Sequence, residues 1–127
     1  MSHCRVLIVE DDGASRDMLA AFLKLQGHTV LTAADGETAF ASASHFQPDV
    51  VLTDICMPRL SGVELCRQLR EQPETRYVPV LAMTALSLEE GEEILIAGFE
   101  NVLAKPIDLD QLAWQVDAAG ERYRRRH

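Results

Sequence analysis

Residues 4–12 read C-R-V-L-I-V-E-D-D, a short β-branched apolar run that leads directly into three acidic residues. Residues 50–54 read V-V-L-T-D, a second apolar run that also ends in an acid. Continuous apolar runs of this length are typical of strands that are buried on both faces, as in a parallel sheet. The two stretches therefore predict buried parallel strands with carboxylates at their carboxyl ends.

Further strands and helices alternate along the chain around these two stretches. A third continuous apolar run at residues 78–83, a weaker one centred on Val30 and the weakest at residues 101–104 predict three more strands. Helical spacing of apolar residues predicts five helices, around 18–23, at 36–46, at 63–69, at 88–97 and from residue 109 onward. This repeated β-α order predicts an α/β fold with a parallel sheet, helices on both faces and right-handed crossovers.

Capping and turn residues mark where several of these helices begin and end. Three pairs have the spacing of a capping box: Ser61 with Glu64, Ser87 with Glu90, and Asp108 with Gln111. Asp12 is expected to cap the first helix, and Gly27 to stop it. We expect Gly62 to adopt backbone angles that other residues resist, so that the chain turns tightly there.

The length and composition are those of one ordinary globular domain. The chain has 127 residues, of which 47% are hydrophobic and 25% charged, which excludes disordered, collagen-like and coiled-coil proteins. Neither a run that spans a membrane nor a secretory signal pattern is visible, and the three cysteines are scattered and lack C-x-x-C spacing. We therefore expect a cytoplasmic protein without a membrane partner, with a domain at 1–120 and a basic tail or linker start at 121–127.

The net charge of −8 limits the classes of partner. Residues 121–127 contain four arginines and one glutamate, so the rest of the chain is more acidic than the total. Because duplex binding depends on cationic contacts to phosphates, an acidic domain argues against direct binding of nucleic acid. The charge is compatible with cation binding, with a basic partner, or simply with solubility.

Polar side chains follow four of the five predicted strands, at the edge where ligands bind in open α/β sheets. They are Glu10, Asp11 and Asp12 after the first strand, Asp54 at the end of the third, Thr84 after the fourth and Lys105 after the fifth. Carboxylates forced together repel one another, and Mg²⁺ relieves that repulsion. A carboxylate beside Mg²⁺ is a nucleophile for phosphorus, while an ammonium and a hydroxyl suit phosphoryl oxygens. The pattern therefore predicts a magnesium-dependent phosphoryl-transfer site.

Four motifs at these positions make the sequence similar to the receiver domain of two-component response regulators, of the chemotaxis-regulator type. They are V-E-D-D at 9–12, D-I-C-M-P-x-x-S-G at 54–62, M-T-A at 83–85 and K-P-I at 105–107. The similarity extends from Cys4 to about Val116. It implies a flavodoxin-like, doubly wound sheet of five parallel strands in the order 2-1-3-4-5, with five helices.

The resemblance also implies roles for the acidic residues. Asp54 falls on the phosphoacceptor position, and Glu10 and Asp11 fall on the acidic pair that holds Mg²⁺ or Mn²⁺ together with Asp54. Cys56 falls where the family supplies a backbone carbonyl to the metal, so its thiol is not implicated.

Three further positions match the family, and one departs from it. Thr84 matches the switch hydroxyl, Lys105 the lysine that contacts the phosphoryl group, and Pro106 a proline that commonly follows in a cis peptide. Three residues before the lysine the family usually has an aromatic side chain that turns inward on phosphorylation, and here that position is Val102. The usual coupling between threonine and aromatic residue is therefore not expected in this form.

The function implied is a phosphorylation-controlled switch. A histidine kinase or a histidine phosphotransfer protein would supply the phosphoryl group to Asp54. The domain would catalyse this transfer and its own dephosphorylation, without being a free-standing enzyme. The output, and whether the chain is a stand-alone regulator or part of a larger regulator or hybrid kinase, stay open.

Two other functions are weighed against this one. A receiver-shaped interaction module that works without phosphorylation has Val102 as its support. The second is a phosphatase with an aspartate nucleophile. Such enzymes have a D-x-D pattern, in which a second acid lies two residues after the nucleophile. In this sequence Cys56 stands at that position, so the second acid is missing.

Overall fold

The computed structural model describes residues 3–57, 59–85 and 98–127. Its sheet has five strands: β1 (Arg5–Val9), β2 (Thr29–Ala33), β3 (Val50–Asp54), β4 (Val80–Thr84) and β5 (Asn101–Ala104). Neighbouring strands are all parallel, and their order across the sheet is β2-β1-β3-β4-β5. The predicted α/β class and strand order are therefore confirmed.

The described ranges contain four helices: α1 (Gly13–Leu25), α2 (Gly36–Phe46), α3 (Gly62–Glu71) and α4 (Leu109–Arg126). A fifth helix is predicted at 88–97, with Ser87 and Glu90 as its capping pair, and it lies outside the described residues. None of the helices described is both long enough and apolar enough to cross a membrane.

Two hydrophobic layers, one on each face of the sheet, explain why the central strands are mainly apolar. In β1, Leu7 and Val9 pack into the layer that includes residues of α2 and α3. Val6 and Ile8 pack into the opposite layer, with residues of α1 and α4. Because successive side chains of a strand point to opposite faces, a strand covered on both sides needs apolar residues at every position.

Short polar side chains begin the helices as the sequence predicts. Asp12, Ser61 and Asp108 each accept a hydrogen bond from a backbone N–H of the following turn, at 2.9–3.2 Å. Asp35 caps α2 in the same way at 2.7 Å, a cap that was not predicted from the sequence. Gly27 follows the end of α1 with φ of 97°, the left-handed conformation expected of a stop residue.

The last helix continues into the basic residues at the C-terminal end of the chain. α4 runs to Arg126, so that residues 121–126 are helical. Tyr123 packs against the hydrophobic layer of α2 and α3, and Arg122 forms an ion pair with Glu100 at 2.8 Å. The division of the chain at residue 120 stays a prediction.

Candidate functional site

Four charged side chains meet where strands β1, β3 and β5 end. Glu10 and Asp11 follow β1, Asp54 is the last residue of β3, and Lys105 follows β5. One carboxylate oxygen from each of the three acids lies within 4.8 Å of the other two. The Lys105 Nζ lies 2.5 Å from Asp54 Oδ2 and 3.5 Å from Glu10 Oε1. The structure thus brings together residues that are up to 95 positions apart in the chain.

Strand pairing brings these residues to the same edge of the sheet. The backbone N–H of Glu10 donates to the carbonyl of Ala33 at the end of β2, at 3.1 Å. Similarly, the N–H of Lys105 donates to the carbonyl of Thr84 at the end of β4, at 2.8 Å. Because parallel strands end at a common edge, these bonds hold the charged residues beside the last residue of β3.

The Asp54 carboxylate is held at both of its oxygens. Its Oδ1 accepts a hydrogen bond from the backbone N–H of Cys56 at 3.0 Å, and its Oδ2 is bound by Lys105. The Asp54 residue is only 7% exposed. These contacts fix the plane of the carboxylate, and they place the exposed residue Cys56 at the site through its backbone.

Burial and mutual repulsion shape the electrostatics of the acids. Burial, followed by the close Asp54 carboxylate, raises the pKa of Glu10 to about 7, although Lys105 opposes the shift. Burial alone would lower the pKa of Lys105, but its contacts with Asp54 and Glu10 outweigh that effect and raise it. The site therefore favours a charged lysine and resists a full set of charged acids.

The donor set fits a hard divalent cation. Glu10 is 2% exposed, and its Oε2 atom is buried without a hydrogen-bond partner in the described part of the chain. An unpaired buried acceptor is costly, and the single ammonium of Lys105 offsets only part of the charge of three carboxylates. Clustered carboxylate oxygens are the ligands that Mg²⁺ prefers. Glu10, Asp11 and Asp54 are thus the residues suited to hold it.

Gly62 is required for a reason that differs from the one predicted. Its φ is not positive, since Gly27 and Gly98 are the glycines with positive φ in the described ranges. A Cβ atom at Gly62 would lie 2.4 Å from the carbonyl oxygen of Asp54 and 2.8 Å from the Cα of Ile55. The expectation of unusual backbone angles is therefore wrong, and close approach of α3 to the end of β3 is the cause.

Thr84 and Val102 lie in the strands next to the acidic cluster. Asp54 pairs in register with Met83, so Thr84 ends β4 one residue further along, at the same edge. Thr84 is buried, and its strand neighbour in β5 is Ala104. Val102 is half-buried and packs against the hydrophobic layer of α2 and α3. The Lys105–Pro106 peptide is cis, as the resemblance implied.

Arg16 contacts the site without having been identified from the sequence. Its Nη1 donates a hydrogen bond to the backbone carbonyl of Glu10 at 3.0 Å. The one signal available was an arginine shortly after an acidic loop. An arginine at such a position can bond back to the loop or point into solvent, and the sequence alone does not distinguish the two.

Comparison with known proteins identifies the family. The sequence model of the response regulator receiver domain matches residues 6–117. The chain is 42% identical over 106 residues to response regulator PleD of Caulobacter vibrioides, covering 82% of this chain and 23% of PleD. It is 40% identical over 109 residues to response regulator MprA of a Mycobacterium species, covering 85% of this chain and 46% of MprA. The chain thus spans less than half the length of these relatives.

Solved structures are similar over almost the whole chain. The chemotaxis protein CheY4 of Vibrio cholerae is 31% identical with a TM-score of 0.87, and the match covers 93% of this chain and 99% of CheY4. The receiver domain of sensor histidine kinase PA1611 of Pseudomonas aeruginosa has magnesium coordinated in its active site cleft. It is 32% identical with a TM-score of 0.86, and the match covers 94% of this chain and 99% of that domain. By sequence, fold and site geometry together, this chain belongs to the response regulator receiver domain family.

Proposed function

We propose that this receiver domain accepts a phosphoryl group on Asp54. The donor is a phosphohistidine on a histidine kinase or a histidine phosphotransfer protein. Mg²⁺ or Mn²⁺ is held by Glu10, Asp11, Asp54 and the backbone carbonyl of Cys56. The observation that carries the proposal is the convergence of three carboxylates and Lys105 at one edge of the sheet.

Asp54 acts as the nucleophile. One of its carboxylate oxygens forms a bond to phosphorus while the bond between phosphorus and the donor's histidine nitrogen breaks. The backbone N–H of Cys56, at 3.0 Å from Oδ1, holds the carboxylate in place for this attack. When bound, Mg²⁺ supplies positive charge that stabilises the phosphoryl oxygens and the clustered carboxylates.

Lys105 and Thr84 bind the phosphoryl group after its transfer to Asp54. The Lys105 ammonium, already 2.5 Å from Asp54 Oδ2, is close enough to bind a phosphoryl oxygen once Asp54 carries the phosphoryl group as an acyl phosphate. Thr84 ends the adjacent strand and supplies a hydroxyl donor at the same edge. A phosphoryl group adds about two negative charges. Contacts from both side chains would favour a second conformation of the domain.

The site argues against the two rival functions. An aspartate-nucleophile phosphatase needs a carboxylate near the position that Cys56 occupies, and Cys56 offers none. An interaction module that works without phosphorylation does not need a buried glutamate with an unpaired oxygen, as Glu10 has here. Magnesium in the related Pseudomonas receiver domain further supports a metal-dependent phosphoacceptor.

The location, output and partners of the domain form a second part of this proposal. PleD and MprA are longer than this chain, and RpaA of Synechocystis, 33% identical over 115 residues, is a DNA-binding transcriptional regulator. We expect the domain to work in the cytoplasm and to pass its signal to an output domain or protein. Its own surface is not expected to bind nucleic acid or membrane, and its turnover is limited to its own phosphotransfer and dephosphorylation.

Incubation with acetyl phosphate tests the proposal. We expect the intact mass to rise by one phosphoryl group when Mg²⁺ is present, and not when the metal is chelated. The Asp54→Asn variant should gain no mass, whereas the exposed Asp17→Asn variant should behave as the wild type. An unchanged wild-type mass with Mg²⁺, or a modified Asp54→Asn variant, would contradict the assignment.

A further inference from the structure

Arg16 reaches from α1 back to the loop that carries the acidic pair. Its Nη1 donates to the backbone carbonyl of Glu10 at 3.0 Å, and the side chain is partly buried in this position. On the other side, the backbone N–H of Glu10 donates to the carbonyl of Ala33 at 3.1 Å. The main chain of Glu10 is therefore held both by β2 and by α1.

The carbonyl that Arg16 binds belongs to the peptide joining Glu10 to Asp11. A peptide unit is planar, so the direction of its carbonyl also sets the direction of the following N–H and Cα. Holding this peptide therefore restricts the orientation of Asp11, which is exposed and whose side chain has no hydrogen bond or ion pair in the described ranges. Glu10 and Asp11 both belong to the carboxylate cluster that spans 4.8 Å.

We propose that Arg16 is a positioning residue for the metal-binding acids, acting through the backbone carbonyl of Glu10. The inference rests on the proposed function, in which Glu10 and Asp11 hold Mg²⁺. Groups that orient metal ligands without touching the metal commonly determine much of the affinity of a site. Arg16 fills this role with a guanidinium that bonds to the main chain between two ligands.

Electrostatics and positioning predict opposite effects when Arg16 is replaced. The guanidinium carries a positive charge close to a cation site, so its charge alone weakens Mg²⁺ binding. If charge were its main effect, a neutral side chain would tighten Mg²⁺ binding. If Arg16 orients the acids, a neutral side chain that cannot hold the Glu10 carbonyl will weaken Mg²⁺ binding.

Calorimetric titration of the unphosphorylated protein with Mg²⁺ measures the dissociation constant, for which the two explanations predict opposite changes. We expect Arg16→Gln to raise the Mg²⁺ dissociation constant about tenfold, the lower end of the range for such orienting groups. Arg76→Gln is the matched control, because Arg76 is exposed and precedes β4, at the end of the sheet opposite the acids. It removes the same charge and should leave the dissociation constant unchanged.

Three further measurements separate positioning from a loss of fold. Gln and Arg have similar helix propensities, so the unfolding temperature of Arg16→Gln without metal should stay close to that of the wild type. Arg16→Lys keeps the charge and one donor, and it should bind Mg²⁺ more tightly than Arg16→Gln. With acetyl phosphate, saturating Mg²⁺ should restore the rate of Arg16→Gln to that of the wild type, while limiting Mg²⁺ should not.

The outcomes distinguish this inference from the function on which it rests. Equal or tighter Mg²⁺ binding by Arg16→Gln would overturn the inference and leave the phosphoacceptor function intact. Equal weakening in Arg76→Gln, or no recovery in Arg16→Lys, would overturn it as well. A wild-type protein that binds no Mg²⁺ and gains no phosphoryl group would overturn the proposed function, and the inference with it.

Discussion

The Glu10 side chain is the least favourably placed group in the acidic cluster. It is buried, faces Asp54, and leaves its Oε2 atom without a hydrogen-bond partner among the described residues. A buried acceptor without a partner costs about 1–3 kcal/mol. An arrangement of this kind is expected where the residue binds a cation. The bound cation then offsets the cost that the unpaired oxygen imposes on the metal-free protein.

Replacing Glu10 should therefore separate stability from metal binding. We expect Glu10→Gln to raise the free energy of unfolding of the metal-free protein by about 1 kcal/mol, because it removes a buried charge beside Asp54. The same variant should bind Mg²⁺ more weakly. Urea denaturation in the presence of a chelator, with the exposed Glu74→Gln as control, measures the first effect. A less stable Glu10→Gln variant would show that the glutamate stabilises the free fold instead.

His28 predicts a pH dependence of stability that is independent of the acidic cluster. Its imidazole Nδ1 accepts a hydrogen bond from the backbone N–H of Cys4 at 3.1 Å, which requires a ring that is unprotonated at that nitrogen. Burial lowers the pKa of His28 below its ordinary value of 6.5, and Asp117 at 3.2 Å opposes the shift only in part. Below pH 6.5 the unfolded chain therefore binds a proton more readily than the folded chain. The stability that His28 contributes is present above pH 6.5 and is lost as the pH falls through this range.

The test compares His28→Gln with the wild type, because Glu10 acts in the opposite direction. The raised pKa of Glu10 makes the folded protein lose stability as the pH rises toward 7. The difference in unfolding free energy between wild type and His28→Gln cancels that contribution. We expect this difference to shrink between about pH 7.5 and about pH 5.5. The exposed His45→Gln variant is the control for the loss of a histidine in general, and a constant difference for His28→Gln would refute the prediction.

At the scale of single elements, the loop from β3 to α3 depends on close backbone contact. The N–H of Gly62 donates to the carbonyl of Ile55 at 2.9 Å, and this bond brings the start of α3 against the end of β3. No space remains there for a side chain. The position of Asp54 thus depends on a glycine eight residues further along the chain.

Gly62→Ala should destabilise the protein by about 2 kcal/mol, because backbone atoms must move to admit the new methyl group. Gly13→Ala provides a matched control, since Gly13 also begins a helix and its nearest neighbour would be the end of the Arg16 side chain at 3.6 Å. We expect that variant to be as stable as the wild type or slightly more stable. Urea denaturation measures the free energy of unfolding of both variants. Equal stability of the two would contradict the conclusion that close backbone contact at Gly62 excludes a side chain.

Elements that depend on local sequence could be predicted, and contacts between elements could not. The strands and the caps Asp12, Ser61 and Asp108 follow from apolar runs and from side chains that bond within one turn. The bond from Arg16 to Glu10 and the crowding at Gly62 arise only when the chain is folded. His28 lies between α1 and β2, and its burial depends on Cys4 and on Asp117 of α4, which are distant in sequence.

The candidate site was more predictable than these contacts for a topological reason. Parallel strands end at one edge, so residues at the ends of β1, β3 and β5 or directly after them must come close together once the strands are correctly assigned. The distances of 2.5 Å and 3.5 Å from Lys105 to the acids could not be predicted, because they depend on side-chain conformation.

At the scale of the whole molecule, metal binding should stabilise the fold. A ligand that binds the folded state alone adds about 2.7 kcal/mol at a hundred times its dissociation constant. We expect Mg²⁺ to raise the unfolding temperature of the wild type in a concentration-dependent way. Asp11→Asn should reduce this shift, and Asp17→Asn, an exposed change in α1, should retain it. Differential scanning calorimetry measures it, and an equal shift in both variants would mean that Mg²⁺ binds elsewhere.

In the domain as a whole, one charge cluster lies beside two packed layers. Asp54 lies at the end of β3, a strand whose apolar residues pack into both layers. Val102 packs against the layer of α2 and α3, at the position where the family resemblance implies an aromatic side chain. We therefore expect the conformational response to depend on Thr84 and Lys105 more than on the motion of a ring at position 102.

The most direct test of the central claim locates the phosphoryl group within the chain. After incubation with acetyl phosphate and Mg²⁺, borohydride reduces an aspartyl phosphate to homoserine, and peptide mass spectrometry identifies the altered residue. We predict that the change occurs at Asp54 and that it is absent when Mg²⁺ is chelated. A change at Glu10 or Asp11, or at a residue outside the acidic cluster, would contradict the account.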